Sequence, residues 1–259
     1  MVDTSKAFLH QIWFDLGRGA SLPQHFQSQV ERMRSINPNM IHRLWDLPSA
    51  RELIGARMGA PWLTFFDNLP IGIQKCDFFR YVLMYELGGV YADLDFYAIV
   101  PFEDVDWAQY GQDIVLAEEW PDSRQATNTL HNGILISRKA KLNSWLSLMI
   151  MIFEEVGRRS VPKNKLDQQS YVYDTTGTRI ICRWAETLSD ANRAIVPFYH
   201  FCSYMQDGHL VLRCDRLDTA KNMSIVPHQL AVALAEEKRN ELERHGVCCL
   251  LVFFPSTWK

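Results

Sequence analysis

The segment 74–97 constrains the fold more than any other part of the chain. Apolar side chains cover most of the circumference of the stretch 74–87, which predicts a helix that is buried on nearly every side. Gly88 and Gly89 follow at once, and glycine tolerates the left-handed backbone that ends a helix. The stretch 90–97 then reads as a strand. A buried helix that leads into a strand indicates that this strand lies inside a sheet.

Strands and helices are predicted in alternation around this segment, which is typical of an α/β fold. The chain opens on a strand at 9–14, a helix at 23–36 and a strand at 40–45. Further strands are predicted at 114–118, 133–137, 193–198, 210–213 and 249–254, and further helices at 141–157, 168–187 and 228–245. The strand–helix–strand opening therefore predicts an α/β domain.

Composition narrows the class of protein. The chain has 259 residues, of which 47% are hydrophobic and 22% charged, and its net charge is −3. We expect one globular domain, and the charge leaves no basic surplus for binding nucleic acid.

No apolar stretch has the ~18–20 residues that cross a bilayer, and the stretch 1–6 is too polar for a signal peptide. Six cysteines without CxxC spacing favour reduced thiols. We therefore expect a cytoplasmic protein, with peripheral contact to a membrane left open.

Two carboxylates lie near the end of the predicted strand 90–97. Side chains alternate along a strand, so Asp93 and Asp95 share one face with Tyr91 and Tyr97, about 7 Å apart at the backbone. Two like charges at low dielectric cost several kcal/mol, and Mn²⁺ or Mg²⁺ bound to their oxygens relieves this cost. The alternative is an edge strand whose two aspartates face water.

Asp77 and Arg80 lie three residues apart on the preceding helix and therefore share a face. They form either an internal ion pair or part of a site, in which Arg80 neutralises phosphate and Asp77 orients a polar ligand. Tyr91 either hydrogen-bonds a ligand or packs in the core.

A few other residues have a structural and a functional interpretation. His10 is expected to be a hydrogen-bonded structural residue, and Asp167 to cap a helix or contact a ligand. The aromatic cluster of Trp62, Phe65 and Phe66 is expected to belong to the core, with an acceptor platform as the alternative.

One string in the segment 74–97 resembles the sugar-binding DXD region of glycosyltransferase family 32. It reads Asp77-x-x-Arg80 and then Gly88-Gly89-Val-Tyr91-x-Asp93-x-Asp95. That family includes the yeast initiating α-1,6-mannosyltransferase, and its DXD region is similar to the catalytic domains of large clostridial glucosylating toxins. The match is dense over about residues 71–102 and weaker elsewhere.

Weaker landmarks of the family follow in the expected order. Thr178 stands where the family has proline, and the histidine pair that often precedes the terminal tryptophan is absent. The landmarks are His10-Gln-Ile-Trp13, Asn37-Pro38 with Leu44-Trp45-Asp46, Asn132–Ser137, Thr176-Gly177 and Ser256-Thr-Trp258.

The resemblance implies a GT-A-type fold, with a mixed, mostly parallel central sheet flanked by helices. A single domain would span 1–259, with the nucleotide-binding part at about 1–140 and acceptor-binding and closing elements at about 141–259. It also implies a nucleoside-diphosphate-sugar donor, with a UDP-sugar preferred over a GDP-sugar, a divalent metal, usually Mn²⁺ or otherwise Mg²⁺, and retention of the anomeric configuration.

The resemblance also implies roles for individual residues. Asp95 would be the main metal ligand, and Asp93 would contact the ribose and the metal. Asp77 would bind hydroxyl groups of the donor sugar, and Arg80 would lie at the sugar–phosphate junction. Ser256 would be a further metal contact. The remaining donor contacts that it implies would be Trp13 at the nucleobase and Trp258 over the diphosphate. Tyr91 and Asn132 are further candidate donor contacts, considered apart from the resemblance.

Three functions compete at this point. The first is a metal-dependent hexosyltransferase of polysaccharide biosynthesis, whose acceptor is a glycan, a lipid-linked sugar or a protein. The second is a nucleotide-sugar-binding or carbohydrate-binding module without catalysis, suggested by the short chain and the missing histidine pair. The third, a DxD phosphotransferase of the haloacid-dehalogenase type, is disfavoured because Tyr97 stands where that class has threonine or valine. The oligomeric state cannot be read from the sequence.

Overall fold

A six-stranded sheet forms the centre of the fold. The computed structural model describes residues 7–16, 21–104, 111–118, 130–196, 204–206, 209–211, 240 and 249–251. In spatial order the strands are β2 (Ile41–Trp45), β1 (Phe8–Ile12), β3 (Gly89–Ala92), β6 (Leu130–Ser137), β5 (Ile114–Glu118) and β7 (Arg193–Val196). Strand β6 runs antiparallel between β3 and β5, and the other five strands run in one direction. The predicted α/β fold with a mixed, mostly parallel sheet is confirmed.

Helices cover both faces of this sheet. They are α1 (Gln24–Ile36), α2 (Leu47–Arg57), α3 (Ala60–Asp67), α4 (Gly72–Glu86), α5 (Asn143–Arg158), α6 (Lys165–Thr175) and α7 (Thr178–Glu186). Two small antiparallel pairs complete the described strands: β4 (Phe96–Ala98) with β10 (Cys249–Leu251), and β8 (Tyr204–Gln206) with β9 (His209–Val211). None of the described helices is both long and apolar enough to span a membrane.

Alternating side chains of the sheet enter two separate cores. Val90 and Ala92 of β3 pack in the core that includes Met33 of α1. Tyr91 enters the other core, which contains the buried side chains of α4 together with those of α5 and α7. This alternation is the two-residue period of a strand that is covered on both faces. Helix α4 is buried on nearly every side, as its composition predicts.

The turn from α4 into β3 requires both of its glycines. Gly88 has φ +65° and Gly89 has φ +90°, a backbone that other residues rarely adopt. A Cβ atom on Gly89 would also overlap the carbonyl oxygen of Phe8 on the neighbouring strand β1. The glycine pair therefore lets β3 lie directly beside β1, in the interior of the sheet.

The prediction of one strand at 90–97 is wrong, and with it the prediction that both carboxylates lie on one pleated face. Strand β3 ends at Ala92, and the chain turns through residues 93–95. The Asp93 N–H donates to the Gly133 carbonyl at 2.7 Å, and the Phe96 N–H donates to the Asp93 carbonyl at 3.3 Å, which closes the turn. The chain then enters β4, which pairs with β10 in a second sheet. The DXD residues therefore lie in a turn between two sheets.

Other differences from the prediction have local causes. Helices α2 and α3 were not predicted. The single helix predicted at 168–187 is divided at Thr176 and Gly177, whose N–H groups both donate to the Val172 carbonyl at 2.9 Å. Asp167 is not the cap of α6, because Asn164 takes that position and accepts the Asp167 N–H at 2.8 Å. The helix predicted at 228–245 lies almost entirely outside the described residues.

Candidate active site

The candidate site lies at the edge of the sheet where β1 and β3 end. Trp13 follows β1, the turn 93–95 follows β3, and Asn132 lies near the start of the antiparallel strand β6. Polar groups at the carboxyl ends of parallel strands are typical of ligand-binding crevices in α/β proteins. Helix α4, which packs against one face of the sheet, contributes Asp77 and Arg80. The fold thus brings the predicted residues from four elements to one edge, whereas Ser256 and Trp258 lie outside the described residues.

Arg80 is the central side chain of the site. It is 4% exposed, and its Nη2 lies 2.9 Å from Asp77 Oδ1 while its Nη1 lies 3.3 Å from Asp93 Oδ2. Nη1 also donates to the Asn132 carbonyl at 2.6 Å, and the guanidinium lies 4.9 Å from the centre of the Tyr91 ring. Burial alone lowers the pKa of Arg80, but the charge of Asp93 and its other anionic neighbours raise it well above its ordinary value. Arg80 therefore stays charged and links three elements of the site.

Asp77 is buried, 4% exposed, and accepts hydrogen bonds from three other residues. Besides Arg80, its Oδ1 accepts from Asn132 Nδ2 at 3.2 Å, and its Oδ2 accepts from Thr176 Oγ1 at 2.9 Å. Burial raises the pKa of Asp77 to about 6, although the Arg80 charge opposes the rise. The internal ion pair expected as one alternative is thus present, and it fixes the Asp77 carboxylate in a single orientation.

Asp93 is held by two neighbours. Its Oδ2 is paired with Arg80, and its Oδ1 accepts a hydrogen bond from the hydroxyl of Tyr91. Tyr91 is 1% exposed, and burial raises its pKa well above the ordinary value, so its hydroxyl remains a donor. Tyr91 therefore both packs in the core and orients Asp93, while the Asp93 side chain stays 29% exposed at the edge of the site.

Asp95 differs from the other two carboxylates. Its Oδ1 is buried and has no hydrogen-bond partner among the residues that the structure describes. Burial, together with the negative charge of Asp93, raises the pKa of Asp95 to about 8. Arg80 is already shared between Asp77 and Asp93 and lowers this pKa only weakly. A buried carboxyl oxygen without a partner is costly, so a cationic or hydrogen-bonding ligand at Asp95 would lower that cost.

The side chains that the structure describes do not by themselves complete a metal site. Within the part of the chain that the structure describes, no three His, Cys, Asp or Glu side chains gather where a metal ion could bind. The unpaired oxygen of Asp95, with Asp93 two residues away, nevertheless suits a hard cation such as Mn²⁺ or Mg²⁺, which prefers oxygen ligands. A cation at this point would need further oxygen ligands from other parts of the chain or from a substrate.

Trp13 lies at the outer side of the DXD turn. It is partly buried and packs with Phe26 and Val30 of α1 and with Leu94, the residue between the two aspartates. The rings of Trp13 and Phe26 are 5.8 Å apart. The structure therefore places Trp13 beside the turn, while any contact with a nucleobase stays a prediction.

The structure adds four residues that the sequence analysis did not assign to the site. Thr176 donates to Asp77, and Tyr81 lies 3.4 Å from Asn132 Nδ2 through its hydroxyl. His131 and Gly133 flank Asn132, and a Cβ atom on Gly133 would lie 2.5 Å from Asp93 Oδ2. Thr176-Gly177 was recognised only as a landmark of the family. Gly133 lies inside the landmark Asn132–Ser137, while Tyr81 and His131 carry no sequence signal apart from their proximity to Arg80 and Asn132 along the chain.

In comparisons with known proteins, the chain is similar to glycosyltransferases. Residues 23–113 match the family described as "Glycosyltransferase sugar-binding region containing DXD motif". Inositol phosphoceramide mannosyltransferase 3 of Schizosaccharomyces pombe is 32% identical over 88 residues, which are 34% of this chain and 23% of that protein. The uncharacterized glycosyltransferase L373 of Acanthamoeba polyphaga mimivirus is 30% identical over 87 residues, 34% of each chain. The matches thus span a third or less of these relatives.

One solved structure supports the fold. The PaToxG glycosyltransferase superposes with a TM-score of 0.51 at 11% identity, over 69% of this chain and 68% of that one. At this identity the likeness concerns the fold alone, and it confirms the GT-A-type architecture that the sequence resemblance implies. Residues 23–113, which include Asp77, Arg80, Asp93 and Asp95, are thus similar to a glycosyltransferase sugar-binding region with its DXD motif.

Proposed function

We propose that the chain is a metal-dependent glycosyltransferase that moves a hexose from a nucleoside-diphosphate sugar to an acceptor hydroxyl. The observation that carries this proposal is the buried, unpaired Oδ1 of Asp95 beside a network in which Arg80 joins Asp77 to Asp93. The donor is a UDP-sugar in preference to a GDP-sugar, and the anomeric configuration is retained. The acceptor is a glycan, a lipid-linked sugar or a protein.

The proposed roles follow the contacts of each residue. Asp95 and Asp93 would hold Mn²⁺ or Mg²⁺, with Ser256 as a further ligand. When bound, the metal supplies positive charge to the departing diphosphate. Arg80 places a permanent positive charge at the sugar–phosphate junction, and its ion pairs keep it in position before the substrate arrives.

The sugar and the nucleoside are bound by the remaining residues of the set. Asp77 receives hydroxyl groups of the sugar, because its carboxylate is oriented on both oxygens and each oxygen can accept more than one hydrogen bond. Asn132 and Tyr91 position Asp77 and Asp93 around the donor. Trp13 and Trp258 enclose the nucleobase and the diphosphate.

Donor binding tests this proposal directly. UDP-glucose and GDP-mannose are added to the protein with Mn²⁺ or with a chelator, and the melting temperature is measured, since a ligand that binds only the folded state raises it. We expect one donor to raise the melting temperature only when Mn²⁺ is present. Asp95→Asn should abolish that shift and should also lose donor hydrolysis.

Asp113→Asn is the matched control, because Asp113 precedes β5 and pairs with Lys139 at the surface. It should keep the metal-dependent shift. A shift that persists in a chelator, or in Asp95→Asn, would contradict the metal-dependent site. Absence of any shift with wild-type protein across a wider panel of nucleotide sugars would contradict the donor proposal itself.

A binding module without catalysis is the second candidate. It is favoured by the fact that the described residues leave the metal shell incomplete. Slow hydrolysis of the bound donor separates the two functions, because a transferase passes the sugar to water when no acceptor is present. Donor binding without measurable hydrolysis would favour the binding module.

The remaining sequence expectations belong to the same proposal. They are a role in polysaccharide biosynthesis, a cytoplasmic location with possible peripheral contact to a membrane, and a single domain over 1–259. Each stays a prediction.

A further inference from the structure

Asp77 receives one of its hydrogen bonds from outside the matched sugar-binding region. Thr176 lies at the junction of α6 and α7, ninety-nine residues further along the chain, and its Oγ1 donates to Asp77 Oδ2 at 2.9 Å. Thr176 is fully buried. The Asp77–Arg80 pair is local to α4, whereas this contact depends on how the C-terminal helices pack on α4.

The junction is itself fixed against α4 by two further bonds. The Tyr81 hydroxyl donates to the Thr176 carbonyl at 2.8 Å, and Gln74 Nε2 donates to Thr175 Oγ1 at 2.8 Å. Tyr81 and Gln74 flank Asp77 on consecutive turns of α4. These two bonds therefore hold the Thr176 hydroxyl at a fixed position beside the Asp77 carboxylate.

We infer that Thr176 is a positioning residue of the donor site, which holds the Asp77 carboxylate toward the sugar of the bound nucleotide sugar. This inference rests on the proposed function, since it assigns to Asp77 the sugar hydroxyls. Oδ1 of Asp77 is occupied by Arg80 and Asn132, so Oδ2 is the oxygen with more capacity for a ligand. Thr176 fixes the direction of the lone pair that remains on Oδ2.

The inference predicts which part of the donor is affected when Thr176 changes. A positioning role for the sugar requires that the affinity for the nucleotide sugar falls while the affinity for the nucleoside diphosphate alone does not. General damage to the fold would reduce both affinities. The comparison of the two ligands therefore separates positioning from stability.

The experiment uses isothermal titration with Mn²⁺ and whichever of UDP-glucose or GDP-mannose binds the wild-type protein, and with its diphosphate, UDP or GDP. Thr176→Val, which keeps the shape and removes the donor, should weaken nucleotide-sugar binding by about 10-fold or more, as expected for a hydrogen bond to a charged group. Its affinity for the diphosphate should stay within about 2-fold, since the removed hydrogen bond goes to Asp77, which is assigned to the sugar. Thr176→Ser should restore sugar binding.

Ser137→Ala is the matched control, because Ser137 is equally buried and its hydroxyl binds the Lys139 carbonyl and Trp145 Nε1 at the other end of β6 from Asn132. It should bind both ligands as the wild type does. If Thr176→Val does not fold, Thr176→Cys decides, because a thiol is close to serine in size and is a weak donor.

Equal loss for both ligands in Thr176→Val, loss of sugar binding in Ser137→Ala, or unchanged sugar binding in Thr176→Val would each overturn the inference. A wild-type protein that binds the diphosphate but gains nothing from the sugar would also overturn it. A wild-type protein that binds neither ligand would overturn the proposed function first.

Discussion

At the scale of single residues, the charge balance of the site depends on Arg80. Three carboxyl groups, those of Asp77, Asp93 and Asp95, lie around this one guanidinium. A planar guanidinium presents five donors in a rigid fork and can hold two carboxylates and a carbonyl in fixed directions, whereas a lysine ammonium is a compact charge on a flexible stem. The third carboxyl group, Asp95, is left without such a partner. This imbalance is the physical reason to expect a cation, and together with burial it raises the pKa of Asp95.

Gly133 provides a prediction about the geometry of the DXD turn. A Cβ atom at this position would lie 2.5 Å from Asp93 Oδ2 and would overlap the His131 ring. Both groups are ends of side chains and can move aside, so Gly133→Ala should fold with a loss of stability of about 1 kcal/mol. Because Asp93 would have to turn, we expect metal-dependent donor binding to fall by at least about 10-fold, the effect of losing about 1.4 kcal/mol.

Gly157→Ala is the control for this prediction. Nothing lies within 4 Å of a Cβ atom on Gly157, which is in helix α5, so alanine should be neutral or stabilising by up to about 1 kcal/mol. The measurements are donor titration and urea unfolding of both variants. Wild-type donor affinity in Gly133→Ala would show that the position of Asp93 does not matter for binding.

At the scale of elements, His10 joins three of them. It lies on β1, its Nδ1 accepts from Trp45 Nε1 of β2 at 3.1 Å, and its Nε2 donates to the Gly88 carbonyl at the α4–β3 turn, 2.9 Å away. This pair of bonds requires the neutral ring, and burial lowers the pKa of His10 to about 4. The positive charges of Arg43 and His42 act in the same direction. The expected structural role of His10 is thereby confirmed.

The His10 shift predicts a dependence of stability on pH. The pKa is about 6.5 in the unfolded chain and about 4 in the fold, so the unfolded chain binds the proton first. The His10 contribution is complete above pH 6.5 and is lost as the pH falls toward 4. Between pH 7.5 and pH 5 the loss should be about 2 kcal/mol.

Urea unfolding of the wild type and of His10→Gln at both pH values isolates the contribution of His10 to the free energy of unfolding. His131 and His42 also have pKa values lowered to about 4, and the raised pKa of Asp77 acts in the opposite sense, but all three are common to both proteins. The stability advantage of the wild type should therefore shrink by about 2 kcal/mol at pH 5. An advantage that is independent of pH would show that His10 titrates normally.

The elements around the site show which features of the fold can be predicted from the sequence. Helix α4, the Gly88-Gly89 turn and the interior position of β3 follow from a long apolar helix and two adjacent glycines, which are local signals. The break at Asp93 is not local, because it results from the exchange of partner strands between β6 and β10. Helix α2 lacks a clear apolar face, although its N-terminus has the capping pair Asp46 and Ser49. Pairing partners and such short, evenly mixed helices are decided by tertiary packing.

At the scale of the whole molecule, the site depends on parts of the chain that lie far apart. Asp77, Arg80, Tyr91, Asp93 and Asp95 were predicted together because they fall within one short stretch of sequence. Thr176 and Tyr81 were not, because nothing near them in the sequence indicates that the α6–α7 junction returns to α4. The sequence resemblance supplied the position of Thr176-Gly177 but not its contact with Asp77. The candidate site and the helices α6 and α7 therefore form one structural unit.

Because the site depends on these helices, we expect that residues 1–140, the expected nucleotide-binding part, do not fold alone. Helices α5 and α7 bury Trp145, Ile152 and Trp184 in the same core as α4, and β7 pairs with β5. Removing several such side chains forfeits on the order of 10 kcal/mol of apolar burial, comparable with the whole stability of a domain. The fragment also lacks Thr176. We expect circular dichroism to show a cooperative thermal transition for the full chain and none for 1–140, and titration to show no donor binding by the fragment. Cooperative unfolding of 1–140 would instead mean that the sheet edge is stable without the helices that position Asp77.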